Sequence, residues 1–218
     1  MSRIPVYFMP GLAASPKIFE RIKLPEDQFE VHLLEWFLPE KKETLTGYAK
    51  RMAEKIKHDD AVLIGVSFGG ILVEEIAKIK PVRKTIIISS VKSMKEFPRR
   101  MKFVRNTKMY KLIPKRLFSK VEYLLKYSKS PRMKERLELY RTYLSVNDVK
   151  YLTWAIENVL MWGRTEVDEK VVHIHGDKDD VFPIKNIKNC IVVKGGTHAM
   201  ILFKHKWMNE NLPRIITE

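Results

Sequence analysis

Ser67, Asp179 and His198 are the residues whose types and order could do chemistry together. A serine hydroxyl is a poor nucleophile near neutral pH. It needs a base within hydrogen-bond reach, and the base needs an acid that orients it. Ser67 stands in Gly65-Val66-Ser67-Phe68-Gly69-Gly70, between an apolar run at 61–64 and a helical pattern at 71–79. Strand, sharp turn and helix are the setting in which Gly-x-Ser-x-Gly presents a serine at a strained turn. The residues two positions either side must be small, because strand and helix nearly touch there. The turn also puts Ser67 at a helix N-terminus, where free N–H groups favour negative charge.

His198 is the best base, because it follows a strand pattern and Gly195-Gly196 in a loop at the sheet edge. Asp179 is the best acid, three residues after Gly176 at the end of the preceding strand; Asp177 and Asp180 compete with it. Asp177 also suits a bond to local turn amides. The chain order Ser67, Asp179, His198 is the order expected when an elbow serine is used. The developing oxyanion needs donors, and two backbone N–H groups are placed for it. One is that of Phe68, just after the serine; the other is that of Leu12, after Gly11 in the first loop. His173 and His175 lie two apart on one strand face, near Asp177 and Asp179. They can be imagined as metal ligands, but the serine leaves a metal no task, so they read as buried strand histidines. His32, His58 and His205 read as ordinary surface or strand residues. No metal or cofactor is expected.

The elements that must position these groups follow from periodicity. Apolar runs at 5–9, 61–64 and 85–90 predict buried strands, and 29–36, 170–175 and 190–194 read as further strands. Ser15-Pro16 marks a helix start, 44–56 is an amphipathic helix, and a last helix from Ala199 ends near Pro213. Strands alternating with helices predict an α/β fold, a mainly parallel sheet with helices on both faces, with ligands at the carboxyl ends of its strands. Residues 92–165 change character. Pro98, Pro114 and Pro131 punctuate helical stretches bearing Met101/Val104, Val121/Leu124/Leu125, Met133/Leu137/Tyr140/Leu144 and Tyr151/Ala155/Ile156/Val159.

Phe8-Met9-Pro10-Gly11-Leu12, Gly65–Gly70, His175–Pro183 and Gly195–His198, taken together, make the chain resemble the α/β-hydrolase family over nearly its whole length. Met9-Pro10 stands where that family often has histidine before the first-loop glycine. The resemblance implies a compact sheet of about six parallel strands lacking the family's two leading antiparallel ones. It implies a core of residues 1–91 and 166–218, with 92–165 inserted as a helical cap. It also implies hydrolysis of a carboxylic ester or thioester through an acyl-enzyme on Ser67. The same three residues serve C–C hydrolysis or a lyase-type elimination as alternatives. The cap aromatics Phe97, Phe103, Tyr123, Tyr127, Tyr151, Trp154 and Trp162, with Met101, either line an acyl pocket or pack the cap on the core.

Length, charge and cysteine count bound the rest. At 218 residues the chain fits one domain with a large core. Its formal net charge is +15, and the stretch from Lys92 to Lys150 carries 18 Lys and Arg against 5 Asp and Glu. That charge is a solvated face, or a receiver for an acidic acyl carrier, an acyl-CoA or an anionic membrane surface, or a basic binding module in its own right. Nucleic acid is set aside, since no nucleic-acid signature accompanies the charge. Cys190 is the one cysteine, which excludes an internal disulfide and suits a reducing, cytoplasmic setting. It reads as a buried strand residue. The apolar N-terminus is interrupted by Pro5 and Pro10 and reads as a strand and loop, not a leader.

Overall fold

The computed structural model describes residues 2–109, 142, 143, 146 and 148–218. Six strands form one sheet: β1 (Ile4–Met9), β2 (Phe29–Leu33), β3 (Val62–Val66), β4 (Lys84–Ile88), β5 (Val172–Gly176) and β6 (Ile191–Val193). Their order is β2-β1-β3-β4-β5-β6 and each neighbouring pair is parallel. All carboxyl ends therefore lie along one edge, and the order reverses after β1, which makes a crevice there. The described residues include the α-helices α1 (Leu45–Ala53), α2 (Phe68–Ala77), α3 (Arg99–Thr107), α4 (Val149–Met161), α5 (Met200–Phe203) and α6 (His205–Thr217).

Strand alternation divides the interior into two layers. Tyr7, Met9, Leu63 and Ile87 face one layer with Tyr48, Met52, Ile71 and Leu72 of α1 and α2. Val6, Phe8, Val62, Ile64, Ile86, Ile88 and Ile174 face the other, with Ile18, Phe19, Met200, Leu212 and Ile216. The central strands β3 and β4 are apolar on both faces for that reason. The edge strand β6 is not: Ile191 and Val192 are exposed, and Cys190, expected to be buried, is half-buried with a free thiol. Burial pushes that thiol above its ordinary range.

The end of the chain also departs from the sequence reading. Pro213 lies inside α6 rather than ending it. The helix runs on because Leu212, Ile215 and Ile216 are buried on one face, and that packing outweighs the one backbone bond a proline removes.

Among the described residues, α3 and α4 fall within 92–165. α3 carries four basic residues and has no buried side chain. α4 is capped by Asp148, whose carboxylate accepts the N–H groups of Lys150 and Tyr151. It buries Tyr151, Leu152, Trp154 and Ala155 against the α1/α2 layer. Trp162, just beyond α4, donates to Glu75 at 2.9 Å, and Arg164 pairs with buried Glu74 at 2.7 Å. Of the aromatics proposed for a pocket or for packing, Phe97, Tyr151, Trp154 and Trp162 pack in the core and Phe103 is exposed. Tyr123 and Tyr127, and the stretches 121–125 and 133–144 apart from Thr142 and Tyr143, lie outside the described residues.

Candidate active site

Val66 ends β3 and Phe68 begins α2, so a single residue, Ser67, makes the whole turn. It does so at φ 53°, ψ −118°, a conformation that L-residues adopt only under constraint. The constraint is visible on both sides. Ser67 N–H donates to Ile88 O at 2.9 Å, and Ser90 Oγ donates to Ser67 O at 2.7 Å. A Cβ on Gly65 would stand 2.3 Å from Gly69 O, and one on Gly69 would stand 2.4 Å from Pro10 O. Strand, helix and first loop therefore meet at van der Waals limits, and only glycine fits at either position.

His198 arrives from the loop between β6 and α5. Its Nε2 is 3.0 Å from Ser67 Oγ, and its Nδ1 is 2.9 Å from Asp179 Oδ2. The carboxylate accepts at Nδ1, so Nδ1 carries the proton and Nε2 turns a lone pair to the serine hydroxyl. Asp179 is buried. Its other oxygen accepts the N–H groups of Val181 (2.8 Å) and Phe182 (2.9 Å), which offsets the desolvation of a carboxylate. Of the three neighbouring aspartates, Asp179 is thus the one in contact with His198. Asp177 instead accepts Gly195 N–H at 2.6 Å, fixing the loop that leads to His198. Asp180 is exposed, and its carbonyl accepts from Arg100 of α3.

His173 and His175 lie under the acid loop, on the α1/α2 side of β5. His175 Nε2 donates to Phe182 O at 2.8 Å and stands 3.6 Å from Asp179 Oδ2. Its Nδ1 is then an acceptor, and His173 Nε2 lies 3.0 Å from it. Both rings are committed to this chain of bonds rather than converging on an ion. Burial drives both pKa values down, that of His173 well below its ordinary range, so both are neutral. His173 Nδ1 has no hydrogen-bond partner among the described residues, so a proton there would be a buried charge without compensation.

The first loop comes up against the serine from the other side. A Cβ on Gly11 would lie 3.6 Å from Ser67 Cβ, so the first loop passes beside the serine at Gly11. Trp36 Nε1 donates to Gly11 O at 2.7 Å. Ala13, at φ 59°, donates its N–H to Tyr151 Oη at 3.1 Å. The Trp36 indole stacks on the Phe68 ring at 4.9 Å and 7°. Phe68 N–H is at the first position of α2, where no intrahelical acceptor exists. Trp36 and Tyr151 were not recognised as supports of this loop from sequence: side-chain bonds to backbone across 25 and 138 residues leave no local pattern.

Comparison with known proteins gives fold-level likeness. No protein-family model matches the sequence, and no curated protein matches it. Among solved structures, a thermophilic esterase from Thermogutta terrifontis aligns with 99% of this chain and 90% of its own at 13% identity and TM-score 0.66. A carboxylesterase structure from the ammonia-oxidising thaumarchaeon Nitrososphaera gargenis covers 99% and 91% at 21% identity and TM-score 0.64. The 2-hydroxy-6-oxo-6-phenylhexa-2,4-dienoate hydrolase of Rhodococcus sp. strain RHA1 covers 99% and 91% at 15% identity and TM-score 0.61.

Proposed function

We propose that this chain, which has the α/β-hydrolase fold, is a serine hydrolase that cleaves a carboxylic ester or thioester through an acyl-enzyme on Ser67. One observation carries the reading: Oγ of a serine on a strained elbow, both nitrogens of one imidazole and a buried carboxylate lie in a single line of contacts of 3.0 and 2.9 Å. The esterases among the structural neighbours support the same activity class.

Ser67 Oγ attacks the acyl carbonyl while His198 Nε2 takes its proton. Asp179 holds the imidazole in the required tautomer and stabilises its charged form. The N–H groups of Phe68 and Leu12 bind the oxyanion. Collapse expels the alcohol or thiol, protonated by His198, and a water activated by the same nitrogen releases the acid. A small acyl ester or thioester satisfies this scheme, and no step calls on a metal or cofactor.

Residues 92–165 are assigned as the cap that shapes the acyl pocket, on a core of residues 1–91 and 166–218. Their basic charge is assigned to an acidic acyl carrier, an acyl-CoA or an anionic membrane surface. Part of that charge is already used inside the molecule: Arg105 donates to Leu160 O and Trp162 O, and Lys102 to Lys95 O. No helix among the described residues is long and apolar enough to cross a membrane, and a cytoplasmic location is part of the proposal. A second reading, C–C hydrolysis by the same residues, is favoured by the likeness to the dienoate hydrolase.

The test is turnover of p-nitrophenyl esters and acyl-CoA thioesters of increasing acyl length, with a dienoate ketone as the contrasting substrate. Ester or thioester turnover lost in Ser67→Ala supports the first reading. Turnover of the ketone alone would replace it with the second.

A further inference from the structure

Away from Ser67, a second group of side chains with ligand chemistry meets at the open edge of the sheet. Glu30 and His32 are two apart on β2, so alternation puts both on one face of this edge strand. His58 comes from the connection between α1 and β3. One ligand-type atom of each of the three lies within 4.8 Å of the others.

Two details set the cluster apart from a chance encounter on a surface. His32 Nε2 stands 3.0 Å from Glu30 Oε1, yet the direction is wrong for a hydrogen bond, and this buried nitrogen has no hydrogen-bond partner among the described residues. Separation without hydrogen-bond direction is how two ligands of one ion face each other. With bonds of ~2.0–2.2 Å, donor atoms in a tetrahedral sphere stand about 3.3 Å apart. Second, the His58 ring is held from behind. Its Nδ1 is 2.8 Å from Tyr7 Oη, and that phenol oxygen accepts Lys57 N–H at 3.1 Å. The Tyr7 ring stacks on His32 at 4.5 Å and 14°. One phenol thus orients both imidazoles, as the outer groups of metal sites do.

We propose that Glu30, His32 and His58 form a binding site for a divalent transition cation, with Zn²⁺ the best match to two imidazoles and one carboxylate. His58 binds through Nε2; its Nδ1 then donates to Tyr7 Oη, whose own proton rotates away. The third donor closes in by about 1–1.5 Å through side-chain torsions, and water completes the sphere. Nearby cations act against the ion: Arg3 lies 3.7 Å from the second Glu30 oxygen, while the Lys55 and Lys57 ammoniums lie over the Phe37 ring and on Glu54 O. The ion would tie the middle of β2 to the segment entering β3. β2 leads directly to Trp36, so the site stiffens the strand that feeds the first-loop support. The proposal does not depend on the hydrolase reading.

The test uses the full chain stripped with a chelator. Zinc titration calorimetry measures stoichiometry, Co²⁺ absorption reports ligand geometry, and melting is followed with and without zinc. Wild type should bind one Zn²⁺ with a rise in melting temperature and give intense tetrahedral Co²⁺ bands. His32→Ala, His58→Ala and the conservative Glu30→Gln should each weaken binding at least about tenfold, with zinc-free melting showing them folded. Absence of stoichiometric binding by folded wild type would overturn the proposal. So would binding that survives His32→Ala and His58→Ala, or that is lost in His198→Ala instead.

Discussion

The two loops that flank Ser67 are held by different physics. On one side, residues 10–14 are held by aromatic side chains: the Trp36 indole on Gly11 O, the Tyr151 phenol under Ala13 N–H, and the stack of Trp36 on Phe68. None of these changes charge near neutral pH, and burial pushes the Tyr151 phenol further up. On the other side, residues 176–183 are held by titratable and charged groups. They are the Asp179 carboxylate itself, the neutral His175 and His173 beneath it, and Arg100 on the Asp180 and Val181 carbonyls. The first-loop supports are therefore indifferent to pH near neutrality, whereas the two histidines beneath the acid loop respond to it. One site thus combines a support of uncharged aromatic groups with one built partly from ionisable groups.

The largest effects test whether both sides serve one reaction. Ser67→Ala and His198→Ala should each lower ester hydrolysis by about 10⁴-fold or more, with melting temperature nearly unchanged; a residual rate near wild type would break the comparison at its centre. Next is the aromatic side. Tyr151→Phe leaves the Ala13 N–H buried without an acceptor, which costs about 1–3 kcal/mol, read as a lower urea midpoint. Its loss of activity should be the same at every pH.

The acid side should behave differently. The lowered pKa values of His173 and His175 mean that the unfolded chain binds more protons than the folded one below the ordinary histidine range. Their stabilising contribution is complete above about pH 6.5 and is lost as the pH falls below it. Urea midpoints measured from pH 8 to pH 5 should show this decline in wild type. His173→Gln should flatten it, whereas Tyr151→Phe should leave its slope intact. Smallest is Arg100→Ala: an exposed guanidinium on two carbonyls should change kcat/KM by less than about threefold, with the change reduced at high salt.

Much of the fold, and the grouping of the candidate site's side chains, was legible in the sequence for physical reasons. Buried parallel strands must be apolar on both faces, so β3 and β4 stood out. A one-residue turn between strand and helix demands the glycines around Ser67. The choice among Asp177, Asp179 and Asp180 was less legible, since spacing alone leaves all three open. Separating them takes the direction of the carboxylate, which for Asp179 is fixed by the N–H groups of residues 181 and 182. The half-exposed Cys190 and the continuation of α6 through Pro213 depend on which neighbours cover each face. Glu30 and His32 share a face of β2 by strand alternation alone, whereas His58, read like His32 as an ordinary residue, is brought beside them only by the close of the α1–β3 connection.

Everything proposed for this site rests on Ser67 being an activated nucleophile. The direct measurement is labelling of the folded chain with a fluorophosphonate probe, with the modified peptide mapped by mass spectrometry. Labelling should be stoichiometric on Ser67, lost in Ser67→Ala and strongly slowed in His198→Ala. Folded wild type that stays unlabelled, or labelling on another residue that persists in Ser67→Ala, would contradict it.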